Sequence, residues 1–181
     1  MGIHIEFTGA RNLVTKYKIY VLIAAILFPA WAFGSMEYRG APQIQASEKN
    51  RYLSLINKAR KKSRSCGTRG YFYATSSLKW SDNLYRSSYT HSHDMATHNH
   101  FSHRGSKGSN FKDRIEKNGY KNWRKIAENI AMGYKTPEKT IQKLLASDHH
   151  CANIMNPKFT EFGMALSRGK RYYWTQDFGT R

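Results

Sequence analysis

A chain of 181 residues with 40% apolar and 14% aromatic content can bury a core, which excludes wholesale disorder and leaves room for one domain plus a short extra segment. The formal net charge is +18, from 30 Lys and Arg against 12 Asp and Glu. The cations are scattered rather than gathered in a tract, so they read first as a solvated surface; they give no sign of a specific nucleic-acid site, and leave an anionic lipid surface or envelope polymer as the polyanion to expect.

Arg11, Lys16 and Lys18 precede an uncharged apolar run from Ile19 to Phe33, and Ala30-Trp-Ala32 and Gly34-Ser35 supply small residues after it. A basic stretch, an apolar stretch and small residues make a secretory signal. The run has 15 residues, short of the roughly 20 that cross a bilayer as a helix. Residues 1–34 are therefore expected to be a signal peptide, the alternative being an N-terminal membrane anchor with a cytoplasmic basic end. Either way the remainder is expected outside the cytoplasm, secreted or periplasmic, and membrane-bound only through this segment. Subtracting the three cations and one acid of residues 1–34 from +18 leaves +16 on the exported part. Cys66 and Cys151 are the two cysteines, and an even pair in an exported protein predicts a disulfide closing a loop of about 85 residues. A metal-ligand or nucleophilic Cys is the alternative, and oxidising surroundings argue against it.

Residues 35–47, with Gly40, Pro42 and little apolar content, read as a linker, and 48–181 as the domain. Ser47 is placed to cap a helix over 48–64, with Leu53, Ile56, Asn57 and Arg60 on one face and Cys66-Gly67 as its end. Ser81 or Asp82 caps a second helix over 82–98, whose Leu84, Ser88, His91 and Met95 share a mostly apolar face. Residues 99–110 form a loop dense in Ser, Gly and His; Phe111 to Asn118 is a short helix closed by Gly119. Thr136-Pro137-Glu138 starts a helix over 137–146 with Ile141, Leu144 and Leu145 buried. Phe162–Ser167 and Arg171–Phe178 flank Arg168-Gly169-Lys170, which predicts a β-hairpin.

The densest chemistry lies in Ser147-Asp-His-His-Cys-Ala-Asn-Ile-Met-Asn-Pro157, with Phe101-Ser-His-Arg-Gly105 and Ala127-Glu-Asn-Ile-Ala131 upstream. Asp94-Met-Ala, Phe101-Ser-His103, Arg114, Gly119-Tyr120, Glu128-Asn-Ile-Ala, Gly133-Tyr134, His150-x-x-Asn153-Ile-Met, Phe159-Thr-Glu-x-Gly163 and Tyr173-Trp-Thr-Gln-Asp-Phe178 together resemble the bacterial, SCP-like branch of the CAP superfamily, the cysteine-rich secretory, antigen 5 and pathogenesis-related 1 proteins. The likeness runs from about residue 50 to the end, and rests on the order and spacing of motifs that are each weak alone. It implies an α+β fold, a three-layer α-β-α sandwich with a central antiparallel sheet. It also implies a cleft holding His103, Glu128 and His150. The family's second glutamate has no match, Ser147 standing in that region. Ala127 and His149 replace expected glycines, and Leu144 an expected Trp. On this pattern Asn153 to Pro157 is the turn that holds His150.

Two imidazoles and a carboxylate can bind Zn²⁺ with an open position, or pair for proton transfer, or simply hydrogen-bond to fix the walls of a polar cleft. His149 is an additional candidate and reads better as a solvated neighbour. His91, His93, His98 and His100 crowd one helix end, where metal binding competes with His91 as a satisfied core residue. Asn129 and Asn153 read as turn-tying amides. Trp80, Trp123, Tyr172, Tyr173 and Trp174 read as packing, a carbohydrate or lipid surface being the alternative. There is no Gly-x-Ser-x-Gly, phosphate loop or His-Glu-x-x-His. The expectation is an exported, monomeric, non-enzymatic domain binding a lipid or envelope component, with no required cofactor. A His/Glu hydrolase, a peptidase with or without zinc, and a polyanion-binding surface are the alternatives.

Overall fold

The computed structural model describes residues 40–181; the segment read as a signal or anchor, 1–34, lies outside the described residues. Among the described residues no helix is long and apolar enough to cross a membrane. The elements are α1 (Ala46–Arg60), β1 (Arg64–Ser65), a 3₁₀ turn (Gly67–Arg69), β2 (Tyr71–Phe72), β3 (Lys79–Trp80), α2 (Asp82–His98), α3 (Phe111–Lys117), β4 (Lys125–Met132), α4 (Pro137–Leu145), α5 (Asp148–Met155), β5 (Glu161–Arg168) and β6 (Tyr172–Thr180).

The main sheet has the order β3-β5-β6-β4. The β5–β6 hairpin and the β6–β4 pair are antiparallel, and only the short β3–β5 pairing is parallel. Side-chain alternation along β4 and β6 divides the interior. Ile130 and Tyr173 face Met95 and Ala96 of α2. Ala131, Trp174 and Phe178 face the larger core with Ile56 of α1, Ile141 and Leu144 of α4 and Ile154 of α5. This is the expected α-β-α sandwich, with α2 and α3 on one face and α1, α4 and α5 on the other. Two glycines let α2 lie close to the hairpin. A Cβ on Gly163 would meet the Tyr85 amide nitrogen at 2.1 Å, and one on Gly169 the Ala96 carbonyl oxygen at 2.3 Å. Gly169 is thus required by a helix packed against the turn.

Several boundaries differ from the sequence reading. Helix α1 starts at Ala46 with Gln45 as its N-cap, so Ser47 does not cap it. It ends at Arg60 instead of 64, because Arg64 and Ser65 pair with Phe72 and Tyr71 as a small ribbon. The Arg60 side chain is fully buried, with Nε donating to the Ser76 carbonyl, one Nη to those of Ile154 and Asn156, and the other to that of Phe159. Burial pushes its pKa down to about 10, so the guanidinium remains charged at neutral pH. Asn153, Ile154 and Met155 are the last turn of α5 rather than a turn after it, and Arg60 ties down the carbonyls that this helix end leaves free. In the stretch read as a linker, the Pro42 carbonyl accepts a hydrogen bond from Tyr85. Ser81, Thr136 and Asn110 cap α2, α4 and α3 through their side chains, Asn110 with Asp113 as a capping box. Trp174 and Tyr173 are core residues, while Trp80 packs on Phe162 and Tyr85.

Candidate functional site

Strand β4 is the open edge of the main sheet, and its residues alternate between the two layers. Glu128 points to the α2 side; Asn129 points to the α5 side. The loop after α2 brings His103 to Glu128, and α5 brings His150 to Asn129. Groups from both helical layers are therefore brought to one edge strand.

Glu128 is the fixed point. Its side chain is 1% exposed, yet both oxygens are engaged. His103 Nδ1 donates to Oε1 at 2.8 Å, and an Arg114 Nη donates to Oε2 at 2.7 Å. Arg114, itself buried, also donates to the carbonyls of His103 and Ser109, so it holds the histidine's loop as well as the acid. With Nδ1–H committed to a carboxylate, His103 presents Nε2 as a lone pair on a side chain that is half exposed.

His150 lies half-buried in α5. Burial, then the charges of His103 and His149, hold its pKa below the ordinary value. Asn129 donates to the His150 carbonyl at 3.2 Å and to Gln176 Oε1, and Asn153 donates to the side-chain Oδ1 of Asn129 at 2.9 Å. These amides link strand to helix instead of tying turns. His149 is exposed, as expected of a solvated neighbour. Ser147 is the N-cap of α5 and makes no capping bond with its side chain.

Two neighbours of Glu128 were less legible. His91 is fully buried; its Nε2 lies 2.9 Å from the Ser102 carbonyl, to which it donates, and 3.8 Å from Glu128 Oε1. Burial outweighs the nearby carboxylate and lowers its pKa to about 4. It is a core histidine, as its helix face suggested, held through Nε2 while Nδ1 is buried without a hydrogen-bond partner. Asp177 sits directly opposite Glu128 on β6 and is completely buried. Burial, then the Glu128 charge, raises its pKa well above the carboxylate range, against the Ser87 and Ser88 hydroxyls and the Arg114 charge. Position in the motif Gln176-Asp-Phe178 hints at importance, but only the β4–β6 register sets it against Glu128. A separate cavity of about 650 Å³ lies elsewhere, between Pro42, Ile44, Lys49, Asp82, Tyr85 and Arg86, and includes none of the cleft residues.

Cys66 and Cys151 form a disulfide, with Cα atoms 5.5 Å apart. Beside it, Asp148 accepts from the backbone and hydroxyl of Thr68, so both bonds fasten the start of α5 to the 3₁₀ turn.

An α-β-α sandwich with a histidine–glutamate pair at one edge strand defines an SCP-type domain. The cysteine-rich secretory protein (CAP) family model matches residues 53–178, and the chain belongs to that family. It is 30% identical over 151 residues to the uncharacterized protein YkwD of Bacillus subtilis, covering 83% of this chain and 54% of that protein, so the chain spans about half the length of the curated relative it matches. Among solved structures it is similar to an outer surface protein of Borrelia burgdorferi, with a TM-score of 0.63 at 17% identity over 78% of this chain and 98% of that one. It is also similar to an extracellular SCP-domain protein of Bacillus anthracis, with a TM-score of 0.60 at 21% identity over 78% of this chain and 45% of that one.

Proposed function

We propose that this is an exported CAP domain whose His103–His150 cleft binds an anionic envelope lipid without turning it over. The observation that carries this reading is the saturation of Glu128. Both of its oxygens are occupied, so the acid orients His103 and balances Arg114 rather than facing a ligand. What the cleft offers a ligand is imidazole: His103 Nε2, and His150. Phe101, two residues before His103, is 45% exposed and adds an apolar group beside these polar ones. The +16 charge favours an anionic partner. Export is supported by the apolar run 19–33 and by the disulfide.

A resident zinc fits this cleft poorly. Catalytic zinc takes three protein ligands. Here the carboxylate is already bridged to Arg114 and His103, and Ser147 stands where a second acid is expected, which leaves two imidazoles. No step is routed through a metal.

The test is co-sedimentation of the purified chain with phosphatidylglycerol vesicles and with phosphatidylcholine vesicles. Binding is expected to the anionic vesicles only, and to weaken in His103→Ala and His150→Ala. Equal binding to both lipids, or binding indifferent to both substitutions, overturns the reading. Anionic binding that vanishes between about 50 and 200 mM salt and ignores the cleft variants points instead to the basic surface alone.

A second reading has one specific observation behind it. The 2.8 Å bond from His103 to a buried carboxylate is the geometry that makes an imidazole Nε2 a proton acceptor. In a hydrolase of this type, peptidase activity would be lost in both His103→Ala and Glu128→Gln; activity surviving both excludes it.

A further inference from the structure

The histidines at the end of α2 have a partner that the sequence reading left out. Asp94 and His98 are one turn apart on α2, so both side chains leave the same face. Asn99 then adopts a left-handed conformation with φ +50°, which ends the helix and folds the chain back. The reversal returns His100 to the same carboxylate. His98 Nδ1 lies 3.0 Å from Asp94 Oδ1, and His100 Nε2 lies 3.7 Å from Oδ2. Among the described residues, this is a group whose ligand atoms all lie within 4.8 Å of one another.

These separations suit a metal ion. Tetrahedral zinc with bonds of about 2.0–2.1 Å needs ligand atoms about 3.3 Å apart. The separations of His98 and His100 from Asp94, each to a different carboxylate oxygen, fall on either side of that value, and the three ligand atoms lie within 4.8 Å of one another. Two further features favour a cation. The cluster sits at the C-terminal end of a helix of 17 residues, where the unpaired carbonyls carry partial negative charge. His100 Nδ1 is buried without a hydrogen-bond partner, so that ring is not committed at both nitrogens. Asp94 already accepts from the Ser106 amide at 2.7 Å and from the Ser106 hydroxyl, but a carboxylate has about four acceptor positions, and two remain.

We propose that Asp94, His98 and His100 bind a divalent transition-metal ion of the zinc class, at a site built from other residues than the His103–His150 cleft. Two neutral imidazoles and one carboxylate supply three ligands, and water completes the tetrahedron. On binding, each ring moves its proton from the ligating nitrogen to its other nitrogen and stays neutral, so His98 Nδ1 and His100 Nε2 give up their bonds to the Asp94 and Arg104 carbonyls for the ion. The ion joins the end of α2 to the loop that follows. Asp94 holds that loop through Ser106, and the same loop carries His103, so occupancy steadies one wall of the cleft.

The test is a calorimetric titration of the metal-free chain with zinc chloride at pH 7.5. The wild-type chain is expected to bind at this site, and His98→Ala and His100→Ala to weaken that binding at least tenfold. A His103→Ala/His150→Ala variant is expected to retain it, which separates this site from the cleft. Both helix-end rings are partly exposed, so their removal should leave the far-UV spectrum unchanged. A variant-free check is the imidazole proton spectrum of the wild-type chain, in which the His98 and His100 signals should shift with zinc. Titration unchanged in both alanine variants, zinc shifts confined to His103 and His150, or no uptake at hundreds of micromolar zinc would each overturn the proposal.

Discussion

Glu128 and Asp177 occupy the same rung of the β4–β6 ladder and project from the same face, two buried carboxyls side by side. Arg114 and His103 engage Glu128, so the ionised form is supported there and not at Asp177. Burial and the Glu128 charge then push the Asp177 carboxyl well above its ordinary value, toward the protonated form. The cleft carboxylate is thus kept single by the neutrality of its neighbour.

This arrangement makes Asp177→Asn a stabilising change. A carboxyl whose pKa is raised by folding contributes fully below its unfolded value and loses that contribution as pH rises toward the folded one. Above the ordinary carboxyl value the unfolded chain releases the proton more readily than the folded chain, and stability suffers. The amide removes that penalty. The melting temperature of Asp177→Asn should exceed that of wild type at pH 7, and the gap should close as pH falls toward 3.8. A variant less stable than wild type at pH 7 contradicts the protonated assignment.

Breaking the buried ion pair should be costly and repairable. Arg114→Ala leaves Glu128 buried, and unpaired on one oxygen, beside Asp177. The expected loss is about 3–5 kcal/mol in urea unfolding at pH 7. Replacing both partners by apolar residues, as in Arg114→Met/Glu128→Met, should cost less than the single change, because no charge is left stranded. A double variant worse than Arg114→Ala argues that Glu128 is not the residue that suffers.

His91 gives the protein a slope in acid. Its pKa falls from 6.5 to about 4 on folding, chiefly by burial. Between these values the unfolded chain takes up a proton that the folded chain does not, so stability falls as pH falls. The full effect is about 3 kcal/mol by pH 4. Comparing wild type with His91→Gln isolates it, since Asp177 is present in both. Wild type should lose more stability than the variant between pH 6.5 and 4; parallel profiles refute the neutral buried ring.

Reducing Cys66–Cys151, which closes a separation of 85 residues, should lower unfolding free energy by roughly 4 kcal/mol in the chain-entropy view. The denaturation midpoint with and without reductant measures it. A Cys66→Ser/Cys151→Ser variant should show the lower midpoint in both conditions.

The residue order by itself determined a good deal. Ser81, Asn110 and Thr136 cap helices because short polar side chains satisfy the free amides of the first turn wherever they precede a periodic run. The hairpin about Gly169 was visible for the same local reason, and two cysteines in a chain expected to be exported were enough to expect their bond. The resemblance to the CAP family implied the α-β-α layering and the names His103, Glu128 and His150. The end of α1 was misread because the pairing of Arg64 and Ser65 with Phe72 and Tyr71 is not visible in local sequence, nor are the distant carbonyls that meet the buried Arg60 charge. The turn assigned to Asn153–Met155 proved to be helix for a related reason: those same Arg60 bonds stabilise its end. What only the tertiary structure decided is the chemistry of the cleft. Burial and pairing fix proton positions, and both depend on contacts between residues far apart in the chain. The β4–β6 register sets Asp177 against Glu128, Arg114 reaches the acid from α3, and the left-handed turn at Asn99 returns His100 to Asp94.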